Sequence, residues 1–162
     1  MSYQRVLVAL DRPPTTPDVF EQALDLAKKE RAKLMVFHCV RTVNVVGAIP
    51  PVTDPFVETG LSPFGIIDSQ QLQLQEEIVQ KETELDQKWL QDYCQTAIAQ
   101  GVPTESECRV GSRSASICDL ARDWGADLIV IGRGDINGLK EVLRGSVSND
   151  VMHQAPCSVL VV

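Results

Sequence analysis

The residues best suited to chemistry lie near the C-terminal end of the chain, in the run GRGDINGLKEVLRGSVSN, residues 132–149. Its glycines, Gly132 and Gly134, let the backbone approach a ligand closely and adopt conformations closed to residues with a Cβ. Gly145-Ser146-Val147-Ser148 adds a cluster of backbone N–H groups and two hydroxyls. A helix starting near Ser146 would aim the positive end of its dipole at an anion. Arg133, Lys140 and Arg144 place cations nearby. The chemistry implied is anion binding, phosphate above all. The run is not a Walker A loop, because no G-K-[ST] follows, nor the dinucleotide fingerprint G-x-G-x-x-G, because position 137 is Asn. Taken alone, a glycine-rich turn after a strand often does no more than turn the chain.

A second cluster, Leu10-Asp11, ends the apolar run RVLVAL at residues 5–10. No evident general base stands beside Ser146 or Ser148, although Asp135 is a candidate for that part. The five cysteines, Cys39, Cys94, Cys108, Cys118 and Cys157, form no C-x-x-C pair and each lies in an apolar stretch. They read as small buried thiols rather than metal ligands or disulfides. His38 and His153 are far apart with no ligand-like spacing, so no metal site is expected.

These clusters need strands to carry them. Residues 5–10, 33–40 (KLMVFHCV) and 127–131 (DLIVI) are apolar runs suited to strands buried on both faces, and residues 158–162 (SVLVV) read as a last strand, apolar to its final residue and an uncovered edge. Residues 104–110 (TESECRV) alternate and read as an exposed edge strand. Between them, residues 19–31 predict a helix capped by Asp18, with Phe20, Ala23, Leu24 and Ala27 as its apolar stripe. Residues 70–100 predict a long amphipathic helix on Ile78, Leu85, Trp89, Tyr93 and Ile98, ended by Gly101 and Pro103. A helix capped by Ser114 or Ser116 runs to about Gly125, and residues 139–154 are helical in part, interrupted at Gly145. From 41 to about 69 the pattern gives way to prolines and glycines, which predicts a flap.

Alternating strands and helices predict an α/β fold: a single three-layer α/β/α domain over residues 1–162, with a five-stranded parallel sheet. Ligands bind such sheets at the carboxyl ends of the strands, where the strand order reverses. Leu10-Asp11 and Ile131-Gly132 leave strand ends of that kind.

The 162 residues suffice for one buried core. A net charge of −7 argues against a nucleic-acid partner, since such partners ask for a basic face. No apolar run is long enough for a membrane helix, and the first apolar segment is too short for a secretory signal. A cytoplasmic protein is expected.

Gly132, Gly145-Ser146 and the closing HQAPCSVLVV together resemble the phosphate loop and last strand of the universal stress protein family. That family's pattern is glycine, two residues, glycine, nine residues, glycine, then serine or threonine. RVLVALD is similar to its first strand and terminal aspartate, LMVFHCV to its second strand, and GSRSASICDLARDWGADLIVIG to the segment leading into its fourth. The likeness covers nearly the whole chain except the flap and the long second helix. It implies a Rossmann-like adenine-nucleotide-binding architecture. Ala9, Leu10 and Asp11 would line the adenine and ribose side, and the backbone of Cys39 would meet the adenine edge. Ile131 and Gly132 would hold the ribose region. Gly145, Ser146, Val147 and Ser148 would bind the phosphates. His38 is then a packed strand residue rather than a catalytic one.

One position departs from the pattern: its second glycine falls on Asp135, with Gly134 one residue early. A carboxylate about 4 Å from a phosphate costs roughly 1–4 kcal/mol. Mg2+ bridging Asp135 to the phosphates, or a shift that lets Gly134 serve, would offset this. Otherwise ATP binds weakly, or AMP is preferred. Arg12 offers a cation to offset the charge. The expected function is an ATP-binding stress-response regulator rather than an enzyme, with at most slow ATP turnover. It would be a homodimer paired through the C-terminal strand and able to meet a regulatory protein. The alternative is a dimeric scaffold that has lost ATP binding or prefers AMP.

Overall fold

Val, Ile and Leu dominate three of the runs above, and β-branched side chains pack well on a pleated surface. A computed structural model describes residues 2–12, 16–40, 69–133 and 146–162. Over these the elements are β1 (Arg5–Ala9), α1 (Thr16–Glu30), β2 (Lys33–Val40), α2 (Ser69–Ala99) and β3 (Thr104–Val110). They continue with α3 (Arg113–Trp124), β4 (Leu128–Ile131), α4 (Ser146–Gln154) and β5 (Ser158–Val161). The strands form one five-stranded sheet in the order β3-β2-β1-β4-β5, and every pairing is parallel. The expected α/β fold is the observed one.

Parallel strands buried on both faces need a helical layer on each side. On one face Val6, Val8, Leu34 and Val36 pack with Phe20, Leu24 and Ala27 of α1 and Leu90 and Ala97 of α2. On the other, Leu7, Phe37, Ile129 and Ile131 pack with Ile117, Leu120 and Ala121 of α3 and Val151 of α4. The two charge-bearing ends of β1 and β4 are tied by Asp127, whose carboxylate accepts from the N–H groups of Gln4 at 2.7 Å and Arg5 at 3.1 Å.

The helix boundaries differ from the sequence expectation in informative ways. Helix α1 begins at Thr16, so Asp18 lies in its first turn rather than capping it, and Pro17 is inside the helix. The first turn tolerates proline because its N–H groups have no partner within the helix anyway. Arg31 falls outside α1 in a left-handed conformation, φ 57°. Helix α3 starts at Arg113, with Ser112 at the N-cap and no side-chain capping bond. The expectations at 41–68 and 139–145 lie outside the described residues.

The apolar stripe assigned to α2 is corrected more deeply. Ile78, Leu85 and Ile98 are all more than half exposed, whereas Asp86, Leu90 and Ala97 are buried, with Trp89 and Tyr93 half-buried. The helix is therefore rotated relative to the expected face. A charged residue occupies a core position, and a purely apolar reading passes over it.

Candidate functional site

The sheet order reverses between β1 and β4: the chain runs outward from β1 through β2 to β3, then crosses to β4 on the other side. In open parallel sheets that reversal opens a crevice at the carboxyl ends of the two strands. Ala9 of β1 lies in register with Ile131 of β4. Leu10 and Asp11 therefore leave the sheet beside Gly132. Leu10 is buried, its N–H donating to the Phe37 carbonyl at 2.8 Å. Ile131 is buried and Ala9 half-buried. Cys39, near the end of β2, is buried, and its thiol faces the Gly111 carbonyl at 3.5 Å and the Ser116 hydroxyl at 3.8 Å.

Space is tight at Gly132: a Cβ there would lie 3.2 Å from a methyl of Val19 on α1, which would have to give by a few tenths of an ångström. Ser146 opens α4, Val147 packs half-buried against the second core, and Ser148 is buried. Gly134, Asp135 and Gly145 lie outside the described residues. Of the twelve candidate residues, the structure thus brings Ala9, Leu10, Asp11, Ile131 and Gly132 to one crevice. Cys39 stands on the strand beyond β1.

Two features were not anticipated. Asp11 is exposed, and its Oδ2 accepts from Arg113 Nη1 at 2.9 Å, across 102 residues of sequence. Arg113 Nε is buried without a hydrogen-bond partner among the described residues. The second is an ionic cluster behind β1, buried at Asp86 and His38 and half exposed at Arg12. Asp86 takes a two-pronged bond from Arg12, Nε and Nη2 each at 2.9 Å, and one from Trp89 Nε1 at 2.8 Å. His38 Nε2 lies 3.3 Å from Asp86 Oδ2, and His38 Nδ1 lies 2.8 Å from the Leu10 carbonyl oxygen. Burial alone would push the Asp86 carboxyl up. The bonds from Arg12 and Trp89, with the charges of His38 and Arg12, outweigh it and hold the group below the ordinary carboxylate range.

Arg12 is accordingly committed to Asp86, with Glu82 at 3.6 Å, rather than standing ready to offset another charge. His38 is packed, as expected, edge-on to Trp89 with ring centroids 5.2 Å apart. The signal that would have revealed Asp86 is its phase: it shares a helix face with Leu90, Tyr93 and Ala97.

Of the thiols read as buried, Cys39 and Cys118 are buried and Cys94, Cys108 and Cys157 are half-buried. All five are unbridged, and burial raises those of Cys94, Cys118 and Cys157, and that of Cys108 to about 11. Among the described residues no group of three or more His, Cys, Asp or Glu is placed to hold a metal ion, and no helix is long and apolar enough to cross a membrane.

The universal stress protein family model matches residues 2–162. The universal stress protein Sll1388 of Synechocystis sp. is 37% identical over 162 residues, covering 100% of this chain and 99% of its own. Among solved structures, universal stress protein UspA from Lactobacillus plantarum superposes with a TM-score of 0.74 at 21% identity, over 100% of this chain and 99% of that one. The universal stress protein from Archaeoglobus fulgidus in complex with dAMP superposes with a TM-score of 0.58 at 21% identity, over 99% and 98% of the two chains. The two superpositions establish a shared fold, and the family model and the Synechocystis relative carry the assignment further: this chain belongs to the universal stress protein family.

Proposed function

We propose that the protein is an adenine-nucleotide-binding stress-response regulator, cytoplasmic and dimeric, with at most slow ATP turnover. It would act as a single domain over residues 1–162, with a variable flap at about 41–69. The observation that carries the reading is the convergence of Leu10-Asp11 and Ile131-Gly132 on the sheet's reversal point. Helix α4, with Ser146 at its first position, follows in the same half of the chain. The neighbour of like fold solved with dAMP supports an adenine nucleotide as the ligand. Asp11 would meet the ribose, the Cys39 backbone the adenine edge, and Gly134, Gly145, Ser146, Val147 and Ser148 the phosphates.

A second reading, a dimeric scaffold that has lost ATP binding or prefers AMP, draws on one structural observation as well as on Asp135. Arg113 already engages the Asp11 carboxylate that a ribose would need.

Calorimetric titration with ATP, ADP and AMP, each with and without Mg2+, on the native protein and Asp135→Gly, separates these. Micromolar ATP binding that needs Mg2+ is the expected result, with Asp135 acting through the metal. AMP binding without ATP binding means that Asp135 selects against further phosphates. Binding only by Asp135→Gly favours the scaffold. No binding by either protein overturns the site.

A further inference from the structure

The cluster of Arg12, His38, Asp86 and Trp89 belongs to none of the roles above, yet it touches the candidate site at two points. His38 reaches the Leu10 carbonyl, and Arg12 follows Asp11 directly. A backbone carbonyl only accepts, so His38 donates its Nδ1–H to the Leu10 oxygen at 2.8 Å. His38 Nε2 lies 3.3 Å from Asp86 Oδ2, so the Asp86 side chain backs the ring that holds Leu10. His38 and Asp86 are almost wholly buried, so an unpaired charge at either would be costly.

The surroundings support this balance. From β3, Cys108 lies opposite His38 in register, and burial keeps its thiol neutral, so it brings no competing anion. From α2, Glu82 lies on the outer side of Arg12. The cluster thus contains one buried anion, Asp86, between the ring of His38 and the guanidinium of Arg12.

We infer that Asp86 is a positioning residue for the nucleotide site: from helix α2 it holds Arg12 by its fork and backs the His38 ring that bonds the Leu10 carbonyl, fixing the exit of β1. The role rests on the nucleotide reading above, and it makes α2 the element through which occupancy of the site is felt. Coupling of this kind is reciprocal. If Asp86 helps the site bind, binding must in turn steady α2.

Two measurements test it. AMP affinity should fall about tenfold in Asp86→Asn and in Arg12→Gln, within the usual range for coupled sites. Arg12→Lys keeps the charge but not the two-pronged geometry, and it should fall with them. Hydrogen exchange should show AMP raising protection around residues 82–90 in the native protein only. Arg12→Lys leaves a cation beside the buried Asp86, so it tests the geometry even if Asp86→Asn or Arg12→Gln does not fold.

Native affinity in the Arg12 and Asp86 variants while native protein binds AMP overturns the inference. No nucleotide binding by the native protein overturns the nucleotide reading, and this role with it.

Discussion

At the residue scale, the weight of the molecule rests on a few long-range polar contacts. Asp86 is the strongest case. Its folded carboxyl is held below the ordinary range, so its contribution to stability is present above the unfolded value of about 3.9 and is lost as pH falls through the lower, folded one. Asp86→Asn removes the titrating group and should cost about 2–3 kcal/mol at pH 7, the worth of bonds to a buried charge. The gap between native and variant, read from denaturant melts, should narrow as pH drops below about 4. A gap that stays constant to pH 2 would mean that Asp86 is not ionised in the native state. None of this was legible in the sequence. Arg12 and Asp86 are 74 residues apart, and Arg113 and Asp11 are 102 apart. A glycine-rich loop announces itself locally, whereas a pair of charges joined only by folding leaves no local pattern.

At the element scale, three helices end the same way. Arg31, Gly101 and Gly125 each adopt a left-handed conformation, with φ of 57°, 85° and 70°. In each case the next residue's N–H reaches back over the last turn: Ala32 to the Ala27 carbonyl, Val102 to that of Ala97, Ala126 to that of Ala121. This is the Schellman closure, which glycine adopts without steric penalty. Gly101 and Gly125 were legible for that reason, and the sequence boundaries there lie within a residue or two of the observed ones. Arg31 was not, because arginine is a helix former and pays a penalty of about 1–2 kcal/mol in this conformation. Arg31→Gly should therefore stabilise the protein by about 0.5–1 kcal/mol, after allowing for the greater freedom of glycine in the unfolded chain. That corresponds to a rise in Tm of about 1–4 °C in a domain of this size, measurable by calorimetry. An unchanged or lower Tm would show that the Arg31 side chain contributes more than its backbone costs. The same scale explains why the face of α2 was misjudged. Its apolar residues outnumber the core positions available, so periodicity alone could not say which of them face inward.

At the scale of the whole molecule, the two sheet edges are built differently. β3 carries Glu105, Glu107 and Arg109, and Arg109 pairs with Glu107 at 2.5 Å and Asp123 at 3.5 Å. Charges on an edge strand discourage another chain from adding to it. β5, SVLV, carries none, and its Leu160 is 38% exposed. The strand order and both edge positions follow from topology that alternating elements imply but do not fix; the contrast in edge chemistry is what the sequence already displayed. An apolar, uncharged edge at one side of a sheet guarded at the other is the arrangement expected if β5 meets its twin across a two-fold axis. The proposed dimer therefore depends on β5 and not on β3. Leu160→Lys should give a monomer at micromolar concentration by size exclusion with light scattering, because a lysine facing its symmetry mate combines desolvation with like-charge repulsion. Ser106→Lys, exposed on the β3 edge, should leave the assembly as it is. A dimer that persists in Leu160→Lys but dissociates in Ser106→Lys would move the interface to the opposite side of the sheet. The charges on β3 would then be contacts between protomers rather than guards against them.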